Sequence, residues 1–127
     1  MKNTLTTDYL KLLELSSDWI TAWNNGDIES LLNYYADDVI FYSAAAKNRW
    51  GVPDGKLVGK IAIENHFRKA FEEFPSMKIT FRKLLEGTGG VLLVYERESG
   101  KMMADLVQFN EQKKVSEVRV FIESANV

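Results

Sequence analysis

From Lys78 onward the chain reads as strand after strand. Runs over 78–85, 91–98, 101–109 and 115–123 are rich in Val, Leu, Ile, Tyr and Phe and alternate with polar residues, the pattern of strands resting on a core. Gly87-Thr88-Gly89-Gly90, Ser99-Gly100 and Glu111-Gln112-Lys113-Lys114 separate them. Such short links make each consecutive pair antiparallel neighbours. Before Lys78 the period changes. Tyr9, Leu12, Leu13, Ser16, Trp19, Ile20 and Trp23 recur at helical steps. Asn24-Asn25-Gly26 ends that helix with residues that tolerate left-handed backbone, and Asp27 caps a second, short one carrying Ile28, Leu31, Leu32 and Tyr35. A third helix, about 60–74, buries Ile63, Phe67, Ala70, Phe71 and Phe74 and stops at Pro75. Helices first and strands afterwards predict an α+β domain with helices covering one face of an antiparallel sheet.

Between the second and third helices, 39–43 is β-branched and aromatic and reads as a strand, whereas 44–59 reads as a loop holding Trp50 and a short strand at 56–58. A two-residue turn at Ser99-Gly100 predicts Glu96 opposite Met103 and Val94 opposite Asp105. Alternation then points Leu92, Val94, Glu96, Met103, Asp105, Val107 and Phe109 inward, together with Val118, Val120 and Ile122. It points Leu93, Tyr95, Arg97, Met102, Ala104, Leu106, Gln108, Arg119 and Phe121 outward. That outer set is too apolar for a face meant only for water.

Composition narrows the function. The 127 residues are 46% hydrophobic and 27% charged, enough for one domain with one core. A formal net charge of −2 provides no basic face for nucleic acid and no polybasic membrane patch. The first 19 residues lack the apolar stretch of a signal peptide, and no apolar run approaches the roughly 18 residues of a membrane span, so a cytoplasmic location is expected. With one histidine and no cysteine, neither thiolate chemistry nor a His-rich or Cys-rich metal site is expected. Asp37-Asp38 reads as capping and solvated, not as a metal site. Gly87 to Gly90 lies between strands and not ahead of a helix, so no phosphate cradle or cofactor is expected either.

Ala22-Trp23-Asn24-Asn25-Gly26-Asp27, then Tyr35-Ala36-Asp37-Asp38-Val39, then Gly59 opening a helix through Phe67, then the Asp105–Phe121 hairpin with Gln108-Phe109-Asn110, occur in the order found in the nuclear transport factor 2-like superfamily. The chain resembles its SnoaL-like and ketosteroid-isomerase-like branch over nearly its whole length, as one domain spanning 1–127. The resemblance implies a curved, mixed sheet wrapped around the long first helix, a cystatin-like cone with an internal pocket. It also implies a homodimer joined through the outer sheet face, here Leu93, Tyr95, Met102, Ala104, Leu106, Arg119 and Phe121. Isomerase-like members hold an oxyanion with a first-helix tyrosine and a late-strand acid, and use a first-strand carboxylate as base. Trp19 stands at the tyrosine position, Ser43 at the base position and Asp105 at the acid position. Only the acid is retained: Trp19 is no phenol, and Ser43 has no useful basicity near neutral pH.

The candidate catalytic residues are therefore Asp105 and His66. An Asp among apolar neighbours has a raised pKa and can donate a proton near pH 7; the alternative is an Asp satisfied by Trp19 or a hydroxyl. His66 matches a pocket position by resemblance and can form an acid/base pair with Asp105, or serve only as packing. Glu96 is a second pocket carboxylate or a solvated rim residue. Trp19, Trp23, Tyr35, Phe41, Ser43, Phe67, Val107 and Val120 form an apolar ligand wall with a few hydroxyls, and Trp50 can close its mouth. Three functions remain open on these grounds. One is an isomerase, cyclase or dehydratase acting on a small hydrophobic carbonyl compound, another a non-catalytic pocket protein, and the third an association module.

Overall fold

The computed structural model describes residues 5–124. Helix α1 (Leu5–Asn24) is followed by α2 (Ile28–Leu32), β1 (Tyr35–Tyr42), α3 (Ala44–Trp50), a 3-10 turn at Pro53–Gly55, β2 (Lys56–Val58) and α4 (Lys60–Glu73). Strands β3 (Ile79–Gly87), β4 (Gly90–Arg97), β5 (Met102–Phe109) and β6 (Val115–Ile122) complete the chain. The six strands form one open sheet in the order β2-β1-β6-β5-β4-β3. Every pairing is antiparallel except that of β1 with β6. The expected α+β architecture with a mixed sheet and a long first helix is present.

The break after α1 turns the chain as anticipated. Gly26 takes φ 64°, and Asp27 caps α2 by accepting from the Ser30 backbone N–H at 3.1 Å. Asn24 does more than end the helix. Its amide donates to the Ile79 carbonyl at 2.9 Å and accepts from the Ile79 N–H at 2.7 Å, which fastens the end of α1 to β3. Apolar side chains collect in two clusters. One, around Leu31, Val39, Phe41, Ile63, Phe67 and Val118, joins α2, β1, α4 and β6. The other, around Ile20, Ile79, Leu84, Val91, Leu93 and Tyr95, joins α1 to β3 and β4. Trp19, Trp23 and Val107 pack against both.

Two expectations are corrected. Residues 44–50, read as loop, form α3, with Ser43 as its N-cap and Gly51 ending it at φ 65°. The β4–β5 hairpin also has a different register: Arg97 N–H donates to the Lys101 carbonyl at 2.9 Å, so the loop is Glu98-Ser99-Gly100, three residues and not two. Glu96 therefore faces Met102, Tyr95 faces Met103, and Leu93 faces Asp105. A one-residue slip reverses a strand's faces. Leu93 and Tyr95, expected outside at the dimer surface, are buried at 5% exposure each, while Leu92, Val94 and Glu96 point outward. Glu96 pairs there with Arg82 at 2.8 Å and is no pocket carboxylate.

Candidate functional site

The inward faces of β4, β5 and β6 lie under α1, and among the described residues a larger and a smaller cavity lie beside these layers. The larger, about 420 Å³, is lined by Leu12, Ser16, Val91, Leu93, Val107 and Val118 among others, with Lys113 and Lys114 also in its wall. The smaller, about 150 Å³, lies toward α3 and α4 among Trp23, Phe41, His66, Phe67, Arg49 and Arg97. Trp19, Tyr35 and Asp105 belong to both linings. These three side chains are the partition between the cavities, and they carry its polar groups.

Asp105 is 4% exposed and accepts a hydrogen bond from the Tyr95 hydroxyl at 2.7 Å. Burial pushes its carboxyl up to about 7, against the smaller, opposing effect of that hydrogen bond. The partner is Tyr95, which the register change brings inside, and not Trp19. Trp19 Nε1 donates instead to the Tyr35 hydroxyl oxygen at 3.1 Å. Burial, followed by the neighbouring Asp105 carboxyl, raises the Tyr35 phenol above its ordinary range, so Tyr35 stays a neutral O–H donor. The first helix thus presents an indole at position 19, and the buried phenol beside it, Tyr35, comes from β1. Tyr95 is held neutral in the same way, by burial and then by Asp105.

His66 is buried at 5% exposure, but its chemistry differs from the expectation. Its Nδ1 lies 2.9 Å from Arg49 Nη1 and accepts from Trp50 Nε1 at 3.2 Å. Two donors on Nδ1 place the ring proton on Nε2. Burial, then the Arg49 guanidinium, lowers the imidazole to about 4, with Glu73 opposing. His66 is therefore a neutral donor near pH 7 and has no free lone pair with which to take a proton. The acid/base pair with Asp105 is not formed, although both line the smaller cavity.

The remaining expected wall residues divide between the cavities. Trp23, Phe41, Ser43, Phe67 and Val120 line the smaller and Val107 the larger. Ser43 Oγ is occupied in accepting from the Ala45 N–H at 3.1 Å as the cap of α3. Trp50 lines neither cavity. It ends α3 at 41% exposure and holds His66. Three residues that shape the site were missed: Tyr95 through the register, and Arg49 and Arg97, which were assigned to a loop and to the outer face. Around the smaller cavity the aromatic rings are mutually packed, with Phe67 5.2 Å from Trp23, 5.8 Å from Tyr35 and 5.9 Å from Phe41, centroid to centroid. Among the described residues no cluster of His, Cys, Asp and Glu could hold a metal ion, and no helix is long and apolar enough to cross a membrane.

The site is thus an open sheet covered by a long helix, with buried acid and phenol groups lining internal cavities. The chain belongs to the SnoaL-like domain family, whose model matches residues 17–119. A SnoaL-like protein of unknown function from Burkholderia thailandensis is 25% identical, with a TM-score of 0.83 over 88% of this chain and 93% of that one. A steroid delta-isomerase from Pseudomonas aeruginosa is similar in fold at 12% identity, TM-score 0.65, covering 85% of this chain and 76% of that one. A protein of unknown function with a cystatin-like fold from Methylobium petroleophilum is 19% identical, TM-score 0.65, over 86% and 73%. No curated protein matches the chain by sequence.

Proposed function

We propose that this protein binds a small hydrophobic carbonyl compound and that the Tyr35 hydroxyl and the protonated Asp105 carboxyl together hold its oxygen. The observation that supports this most directly is the partition itself. Two neutral donors, each reinforced by a neighbour (Trp19 for Tyr35, Tyr95 for Asp105), stand side by side in an apolar enclosure. Donors aimed at a carbonyl oxygen in a water-poor site stabilise negative charge developing there, as in enolisation. Isomerisation, cyclisation or dehydration aided by acid is the corresponding chemistry. With Nδ1 of His66 occupied and Ser43 serving as a helix cap, Asp105 is the proton-transferring group, and the alternative of binding without turnover uses the same contacts.

A thermal-shift screen of small cyclic ketones and enones against the parent protein tests the reading. Compounds that bind raise Tm according to their concentration relative to Kd. Each of Tyr35→Phe and Asp105→Leu is expected to weaken a hit about tenfold, the scale of one buried hydrogen bond. Unchanged affinity in both variants would remove the donor pair from the site.

The partner reading is a homodimer through the outer sheet face, with its residues revised by the register. Leu93 and Tyr95 are excluded, and Leu92, Val94, Met102, Ala104, Leu106 and Phe121 carry the surface, Phe121 at 53% exposure. Beside them Arg119 stacks over Tyr42 at 4.0 Å. Leu106→Asp with Phe121→Asp is expected to convert a dimer to monomer in sizing chromatography with the circular dichroism spectrum unchanged. A dimer surviving both changes would place the interface elsewhere.

A further inference from the structure

The smaller cavity has a polar character that the Tyr35–Asp105 pair does not explain. Among the described residues, three buried side-chain polar atoms lack a hydrogen-bond partner: Trp23 Nε1, Arg49 Nε and Arg97 Nε. All three are N–H donors, and all belong to residues lining this one cavity. Buried polar groups are nearly always paired, so three orphaned donors in residues that line one void call for an acceptor that the chain does not provide. The neutral His66 ring adds a fourth donor, its Nε2–H, to the same wall.

Charge points the same way. Arg49 and Arg97 are both in the lining, and Asp105 is its only acidic residue. The counterions of the two arginines, Glu73 and Glu98, have side chains 50% and 40% exposed and lie outside the lining, so they neutralise from the solvent side. Both guanidinium groups are held in place. Arg49 is fixed between His66 and Glu73, and Arg97 lies over the Phe74 ring, 5.1 Å from its centroid. The lining also carries aromatic rings, among them Trp23 packed edge-on against Phe67. A void of roughly 150 Å³ accepts a benzene ring.

We propose that the smaller cavity is a carboxylate site, taking a small planar apolar acid whose carboxylate is held by Arg49 and Arg97 and whose ring lies against Trp23 and Phe67. Guanidinium groups suit this task because they offer carboxylates short, charge-assisted hydrogen bonds from a fixed fork. The inference names the charge and shape of a ligand; it goes beyond the oxygen-binding role of Tyr35 and Asp105 and does not depend on it.

Benzoate and benzamide are the probes, since they share a ring and differ in charge. Each is titrated into the isotopically labelled parent protein while the indole N–H signals and the arginine Nε–H signals are followed. Benzoate is expected to bind at least tenfold more tightly than benzamide and to shift the Trp23 indole and both arginine Nε–H signals. Arg49→Gln and Arg97→Gln are each expected to weaken benzoate about tenfold. Equal affinity for the two probes, no saturable benzoate binding, or benzoate affinity unchanged in both arginine variants would each overturn the proposal. Should either variant fail to fold, the comparison of the two probes on the parent protein decides the matter alone. Cyclic ketones raising Tm while benzoate fails to bind would overturn this inference and leave the carbonyl reading intact.

Discussion

Asp105→Asn is expected to turn a stability that is nearly level with pH between about pH 4 and pH 6.5 into one that rises with pH. In the parent, the Asp105 carboxyl titrates at its ordinary value of 3.8 when unfolded and at about 7 when folded. Across that window the unfolded chain has released the proton and the folded chain keeps it. The contribution of Asp105 is therefore fully present below pH 4 and is lost as pH rises through 7, by roughly 4 kcal/mol for a shift of this size. His66 works in the opposite direction. Its ordinary value of 6.5 falls to about 4 in the folded protein, so its contribution is present above pH 6.5 and is lost as pH falls toward 4. The asparagine variant keeps the His66 slope alone and becomes more stable with rising pH. Urea unfolding of parent and variant at pH 4, 5, 6 and 7 measures the divergence. Parallel curves would mean that Asp105 is ionised in the folded protein, and the donor role assigned to it would fall.

Phe67→Ala is expected to cost about 3–5 kcal/mol. Phe67 is 2% exposed and its ring meets Trp23, Tyr35 and Phe41, so its removal opens the partition side of the smaller cavity and frees three aromatic neighbours at once. In a domain of this length the loss corresponds to a fall in Tm of about 10–20 °C. Phe74→Ala, seven residues further along and just past the end of α4, is the control, because Phe74 is 46% exposed and should cost under about 1 kcal/mol. Chemical denaturation of both variants gives the comparison. Similar losses at the two positions would show that Phe67 is not the packing centre described above.

The fold was legible because its signals are long. Six apolar residues and Ser16 at helical spacing in α1 and four alternating runs from Lys78 onward leave little ambiguity about element type. The site depends on shorter signals. Whether the β4–β5 loop holds two residues or three decides which of Tyr95 and Glu96 faces inward, and so which side chain meets Asp105. Gly100 at φ 90° in a three-residue loop is a recognised hairpin form, but the sequence fits the two-residue turn equally well. Helix α3 carries its own cue, Ser43 as cap ahead of three alanines with Gly51 seven residues after the first of them; the cue lay hidden among Gly and Pro residues that favour a loop. With that helix missed, Arg49 had no assigned place, and the cationic side of the smaller cavity was invisible. Asp105 was found because its surroundings are set by a whole strand and not by a single loop; Tyr35 was found by its apolar spacing after Leu31 and Leu32, although it opens β1 and does not belong to the second helix.

The parallel pairing of β1 with β6 ties residues 35–42 to residues 115–122, the widest separation in the sheet. The strand formed last thus stands in the interior of the sheet, between β1 and the β3–β5 meander. During synthesis, the segment carrying Tyr35 and the segment carrying Asp105 have no strand between them until residues 115–122 have emerged. A nascent chain shorter than that holds both halves of the donor pair without the wall that joins them. The wall that joins the two cavities is therefore completed in one step, when β6 enters the sheet, and a fragment ending before Val115 is expected to bind none of the ligands proposed above.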